Sequence, residues 1–191
     1  MEWLIPTQTL HTGNIQLGGI TSGMKPMVPI GYKDSDVRFS SLSVLFPSFT
    51  VKSFDKITGQ LVLSLADSSH VVAKFTNIQE LLTSAVALNY HKFFSCERSS
   101  MDVRIAFQPM LRDNELHLYC PVQPEIAQTV PFYYCGKWSD QGFIKNKLEP
   151  GSRIRIAVRM QGISFHLHRN SSVWSGKCRI QHKILGILMN E

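Results

Sequence analysis

Two stretches late in the 191-residue sequence alternate apolar and cationic side chains at period two. In Ser152 to Met160, Ile154, Ile156, Val158 and Met160 share one parity, and Arg153, Arg155 and Arg159 share the other. In Lys177 to Ile184, Cys178, Ile180 and Ile184 alternate with Lys177, Arg179, Gln181 and Lys183. Successive side chains of a strand point to opposite faces, so each stretch predicts a strand that is half core and half cation. Between them, in Gly162 to His168, the apolar parity moves from even to odd positions, which requires a bulge or bend near Gln161-Gly162. A loop from Arg169 to Gly176 turns the chain back. If the two strands lie in one sheet, six cations share a surface, with Trp174 and His166 or His168 at its margin. Such a surface displaces counterions from phosphates, and its aromatic rings offer faces for unpaired bases.

The charge distribution points the same way. The net charge is +6 and the pI about 9.3, yet residues 1 to 95 hold seven basic and six acidic side chains. Residues 150 to 190 hold seven basic side chains, Arg169 among them, and no acidic one. This predicts a polyanionic partner. The competing reading is a solvated sheet face with Trp174 as a core plug. Solvated faces ordinarily mix charge signs, so the acid-free segment favours nucleic acid. A single strand is expected, because no helix-turn-helix, zinc finger or basic recognition helix is present to enter a major groove. RNA stays open, since nothing specifically reads or rejects a 2′-hydroxyl.

Other chemistry finds little support in the sequence. It contains no phosphate-binding Gly-x-x-x-x-Gly-Lys-Ser/Thr, no Gly-x-Ser-x-Gly and no His-Glu-x-x-His. Asp34 and Asp36, with Glu97 or Asp102, have the residue types of a metal-dependent nuclease, but acidic pairs in loops are ordinarily turn formers. Cys96, Cys120, Cys135 and Cys178 include no Cys-x-x-Cys pair and read as buried free thiols rather than zinc ligands with His166 and His168. No catalytic residue, metal or cofactor is expected.

The elements that must position these residues are mostly strands. The length suits one domain, and 43% hydrophobic with 18% charged residues is ordinary globular material. No apolar run reaches the roughly 20 residues of a membrane-spanning helix. The start, Met-Glu-Trp-Leu-Ile-Pro, lacks the basic and apolar regions of a secretory signal. An intracellular protein is expected, cytoplasmic or nuclear and including an infected host cell, and not secreted.

Residues 1–30, punctuated by Gly and Pro, read as an extended arm or irregular edge strands. Strands are predicted over Val37 to Phe46, Phe49 to Phe54 and Leu61 to Leu65, with a turn at Asp55 to Gly59. Asn77, with Glu80 three residues on, has capping-box spacing and predicts a helix from Ile78 to Phe93, with Ile78, Leu81, Leu82, Ala85, Leu88 and Asn89 on its packed stripe. Glu115 to Cys120, Val130 to Tyr134 and Gly136 to Trp138 read as further strand and turn segments. One helix among roughly eight short strands predicts a mainly β fold, an OB-like β-barrel with a core over 37–188.

This order of meander, helix and further strands, closing on IRIAVRMQGISFHLH…WSGKCRIQHKILGI, resembles the OB-fold single-stranded-DNA-binding proteins of bacteriophages and large eukaryotic DNA viruses. The resemblance covers residues 37 to 188. It implies a non-catalytic protein that coats exposed template in replication, recombination and repair. The residues it would use are Arg153, Arg155, Arg159, Trp174, Lys177, Arg179 and Lys183, with His166 beside them. Its implied partners are single-stranded DNA, replication proteins and further copies of the same chain, with no membrane. Phage members typically end in an acidic tail, whereas this sequence ends Leu-Met-Asn-Glu191. A β-sandwich or jelly-roll capsid-type protein is the competing class.

Overall fold

The computed structural model describes residues 3–21, 25–93, 99–121, 130–134, 137–139, 147–169 and 174–189. Its spine is a hairpin of two long strands that carry the alternating pattern, Arg153–Leu167 and Trp174–Met189. In chain order they are β13 and β14. Before them come β1 (Ile5–Pro6), β2 (Ile15–Leu17), β3 (Met27–Asp34), β4 (Val37–Phe39), β5 (Leu42–Leu45), β6 (Phe49–Phe54) and β7 (Gln60–Ser64). Two helices follow, α1 (Ser69–Phe93) and α2 (Ser100–Ala106), then β8 (Phe107–Gln108), β9 (Leu111–Arg112), β10 (Glu115–Tyr119), β11 (Phe132–Tyr134) and β12 (Lys137–Ser139). The protein is mainly β, with an open mixed sheet in the order β12-β11-β14-β13-β6-β7-β10-β9.

One edge of β13 pairs with β14 throughout, and the other is shared along its length. Arg153 and Ile154 pair with β6, Ala157 to Met160 with β5, and Gly162 to Ser164 with β3. Strands this long twist strongly, and the ladder between β13 and β14 absorbs the twist at three register shifts. The β6–β7 hairpin closes as predicted at Asp55 to Gly59. The Asp55 carboxylate accepts from the Ile57 and Thr58 amides, and Gly59 takes φ +77° where an added Cβ would collide with the Cys120 carbonyl oxygen.

The core is one cluster running in sequence from Ile5 to Ile187. Helix α1 packs into it along Val71, Phe75, Ile78, Leu82 and Val86, all fully buried. Phe46, on the turn into β6, touches both Phe75 and Phe49, with ring centroids 5.0 and 5.7 Å away. Each such buried side chain contributes about 1.5–3 kcal/mol relative to exposure.

Several sequence expectations are corrected here. Helix α1 begins nine residues before Ile78, because the Val71 and Val72 amides already find the Ser68 carbonyl and Val71 and Phe75 extend the buried stripe. Asn77 is an exposed mid-helix residue, and Glu80 bonds Arg104 of α2 at 2.6 Å instead of capping. Leu88 lies off the packed face, 71% exposed. The reciprocal capping box belongs to α2, where Ser99 accepts from the Asp102 amide and Asp102 accepts from that of Ser99. The Val37 to Phe46 run breaks into β4 and β5 at the Ser40-Ser41 corner. Of the extended arm or irregular edge strands expected over residues 1–30, the described residues form the latter: β1 pairs in parallel with β5, β2 pairs with β3, Ile5, Leu10 and Ile15 are buried, and Lys74 of α1 donates to the Thr7 carbonyl at 2.6 Å.

Candidate nucleic-acid interface

Ile154, Ile156, Val158 and Met160 of β13 are fully buried, while Arg153 and Arg155 are exposed and Arg159 is half-buried. On β14, Cys178, Ile180 and Ile184 are buried, Lys177 and Arg179 are exposed and Lys183 is half-buried. Directly opposed residues of an antiparallel pair share a face, and the register sets Arg159 opposite Lys183. It also sets Ser164 opposite Arg179.

The cations of each strand share a parity and the Arg159–Lys183 pairing joins the two sets on one face, while the bulge expected at Gln161-Gly162 keeps the apolar side chains beyond it on the interior. Met160 pairs with His182 and Gly162 with Gln181, so Gln161 is the extra residue. After it Ile163 and Phe165 take the interior positions, and Ser164 and His166 join the outer face. Glycine is required at the bulge, since an added Cβ at Gly162 would lie 2.5 Å from the Val28 carbonyl oxygen of β3. The six cations thus line the outer face of one ribbon, and the sequence places no carboxylate on either strand.

His166 is exposed at the end of this ribbon. Partial burial, and then the charges of Arg179 and Lys177, hold its imidazole below the ordinary histidine range. At neutral pH it therefore supplies hydrogen bonds, not charge.

Trp174 is not at the surface, and its expected role as a stacking platform is corrected. It is 1% exposed, its ring meets Phe165 edge-on at 5.7 Å, and its indole N–H donates to the Lys177 carbonyl at 2.9 Å. The residue opens β14 on the interior parity of Gly176 and Cys178, where its ring fills the end of the core. His168 and Arg169 are exposed where β13 ends, and residues 170–173 of the expected loop lie outside the described residues.

The aromatic groups beside the cationic face come from a part of the chain whose sequence alone suggests no role. Trp3 stacks with Phe39 of β4, ring centroids 6.1 Å apart and planes 21° apart, next to Arg38 and Arg159. Their signal in the sequence is faint. Trp3 is a lone aromatic before a proline, and only the parallel pairing of β1 with β5 brings it to the sheet.

His182 is the other residue that the sequence pattern does not single out. It sits on the interior side of β14, and its Nε2 accepts from the Tyr119 backbone N–H at 2.8 Å. Between β14 and β10 the sheet path runs through β13, β6 and β7, so the sheet curls back until its two regions meet at this bond. Burial pushes the imidazole down to about 4, against a smaller opposing effect of the Ile180 carbonyl.

Asp34 and Asp36 flank the β3–β4 turn, where Ser35 takes φ +50°. Asp102 caps α2, and Glu97 lies outside the described residues. Cys120 and Cys178 are buried free thiols, pushed by burial to about 11 and about 12, which leaves them protonated. Cys96 and Cys135 lie outside the described residues. Among the described residues no three His, Cys, Asp or Glu side chains group as metal ligands, and no helix is long and apolar enough to cross a membrane. No protein-family model matches the chain, and no curated protein matches it.

Proposed function

We propose that this protein binds single-stranded DNA without strong sequence preference, through the outer face of the β13–β14 ribbon, and has no catalytic role. The observation that carries the reading is the row of Arg153, Arg155, Arg159, Lys177, Arg179 and Lys183 on one face of two paired strands that have no carboxylate. A phosphate that meets this row of cations releases condensed counterions, the term that drives sequence-independent binding. The strands supply cations at a spacing a flexible backbone can follow, and the described elements include no basic helix to read a duplex.

An OB-like barrel is part of the same proposal. The curl of the sheet, the helix whose buried stripe joins its core and the His182–Tyr119 bond across its seam support that reading of a sheet that strand pairing leaves open. On the resemblance to viral and phage proteins, its work is to cover exposed template during replication, recombination and repair.

The test is an anisotropy titration with single-stranded DNA, duplex and RNA of equal length at several salt concentrations. Four to six phosphate contacts predict a log–log salt slope of about −3 to −4 at roughly −0.7 per contact. A flat salt response, or tighter binding to duplex, would overturn the proposal. Assembly into large particles without nucleic acid would favour the capsid-type alternative.

A further inference from the structure

A pocket of about 320 Å³ opens beside the cationic ribbon at the β4–β5 corner, lined by Trp3, Arg38, Phe39, Arg159 and serines that include Ser43. Three independent features give it the chemistry of a nucleotide site. Trp3 is held by its stack on Phe39 and by the β1–β5 pairing two residues later, yet is 64% exposed, so it retains aromatic surface for a further planar ring. Two guanidiniums line the same cavity, and one of them, Arg159, belongs to the ribbon itself. Ser43 is the register partner of Arg159 across β5 and β13, so both side chains take the same side of the sheet, with buried Ser43 as the floor of the pocket and Arg159 leading from it onto the ribbon.

Resting on the proposed function, we infer that this pocket takes one nucleotide of the bound strand, its base stacked against Trp3 and its phosphate held by Arg38 and Arg159. The ribbon then supplies sequence-independent attraction to the backbone. The pocket supplies the recognition of a base that the buried Trp174 cannot provide. A base on Trp3 is accepted whatever its identity, because every base has a π face.

The experiment compares two strands of one length, oligothymidylate and a fully abasic sugar-phosphate strand, on the wild-type protein, Trp3→Ala and Trp3→Phe. Stacking predicts that Trp3→Ala weakens oligothymidylate binding about ten-fold while changing abasic binding less than about two-fold. Trp3→Phe should hold oligothymidylate affinity within about three-fold and lose part of the tryptophan quenching, since a phenyl ring still stacks. The salt slope should not move in Trp3→Ala, whereas Arg38→Gln should flatten it by about 0.7. Equal losses on both strands, or no loss on either, overturn the pocket and leave the ribbon standing. A wild-type protein that binds neither strand overturns both.

Discussion

The β13–β14 ribbon and the β6–β7–β10 meander are parts of one curled sheet, and they dress their outer sides differently. On the meander Lys52 pairs with Glu115, His117 lies 3.8 Å from the same carboxylate, and Arg112 sits opposite Glu115 in the register. Charge there is mixed in sign around Glu115, as solvated faces ordinarily are. The ribbon has the same alternation of buried and outer positions but carries cations without carboxylates. The meander therefore serves as an internal control: the fold tolerates acids on its outer face, so their absence from the ribbon is not a demand of the β architecture. Buried packing distinguishes the two regions far less than charge does.

The comparison breaks most severely if the ribbon owes its character to packing. Trp174→Ala removes the ring that closes the core beneath the cationic end, and should lower stability by about 3–5 kcal/mol, read by chemical denaturation. Affinity of the protein that remains folded should be unchanged. A stable variant with weakened binding would return the indole to the surface.

The next largest effect lies where the two regions meet. His182 is folded in its neutral form with a depressed pKa of about 4, whereas in the unfolded chain it titrates near 6.5. Between those values the unfolded chain takes up the proton and the folded chain does not. The stabilisation is therefore complete above about pH 6.5 and is lost as pH falls toward 4, by about 3 kcal/mol in all. Melts of wild type and His182→Gln across this window should converge at the acidic end, because glutamine has no proton to take. Parallel curves would show that the seam does not depend on the imidazole.

The smallest stability effects should come from the outer positions, and they sharpen the comparison most. Arg153→Gln with Arg155→Gln should change stability by no more than about 0.5 kcal/mol per site, while flattening the salt slope by about 0.7 for each phosphate that is no longer neutralised. Lys52→Gln on the meander should cost at most about 1 kcal/mol, as an exposed ion pair does, and leave the slope alone. An equal change of slope at Lys52 would extend the binding face across the whole sheet.

What could be read in advance follows the range of the forces involved. The parity of β13 and β14, the bulge at Gln161-Gly162 and the β6–β7 hairpin are local, and the residues themselves announce them. The start of α1 misled because the Asn77 and Glu80 spacing imitates a cap, while the buried stripe through Val71 and Phe75 becomes visible only once the sheet is there to receive it. The burial of Trp174 and the placement of Trp3 are illegible in the sequence for the same reason. The burial of one depends on Phe165 across the hairpin, and the position of the other on a two-residue parallel pairing with β5. Neither interaction leaves a trace in its neighbours along the chain.

The shared edge of β13 also orders events during synthesis. One edge each of β6, β5 and β3 finds its partner in β13, through the pairs Thr50–Arg153, Leu45–Ala157 and Pro29–Gly162, while their opposite edges pair with β7, β1 and β2. A ribosome adding about 5–20 residues each second thus leaves three strand edges open for several seconds before the strand that closes them emerges. During that interval the nascent chain offers a template for mispairing with its neighbours on the same message. Its yield in cells should therefore depend on chaperone supply more than the stability of the finished sheet would indicate.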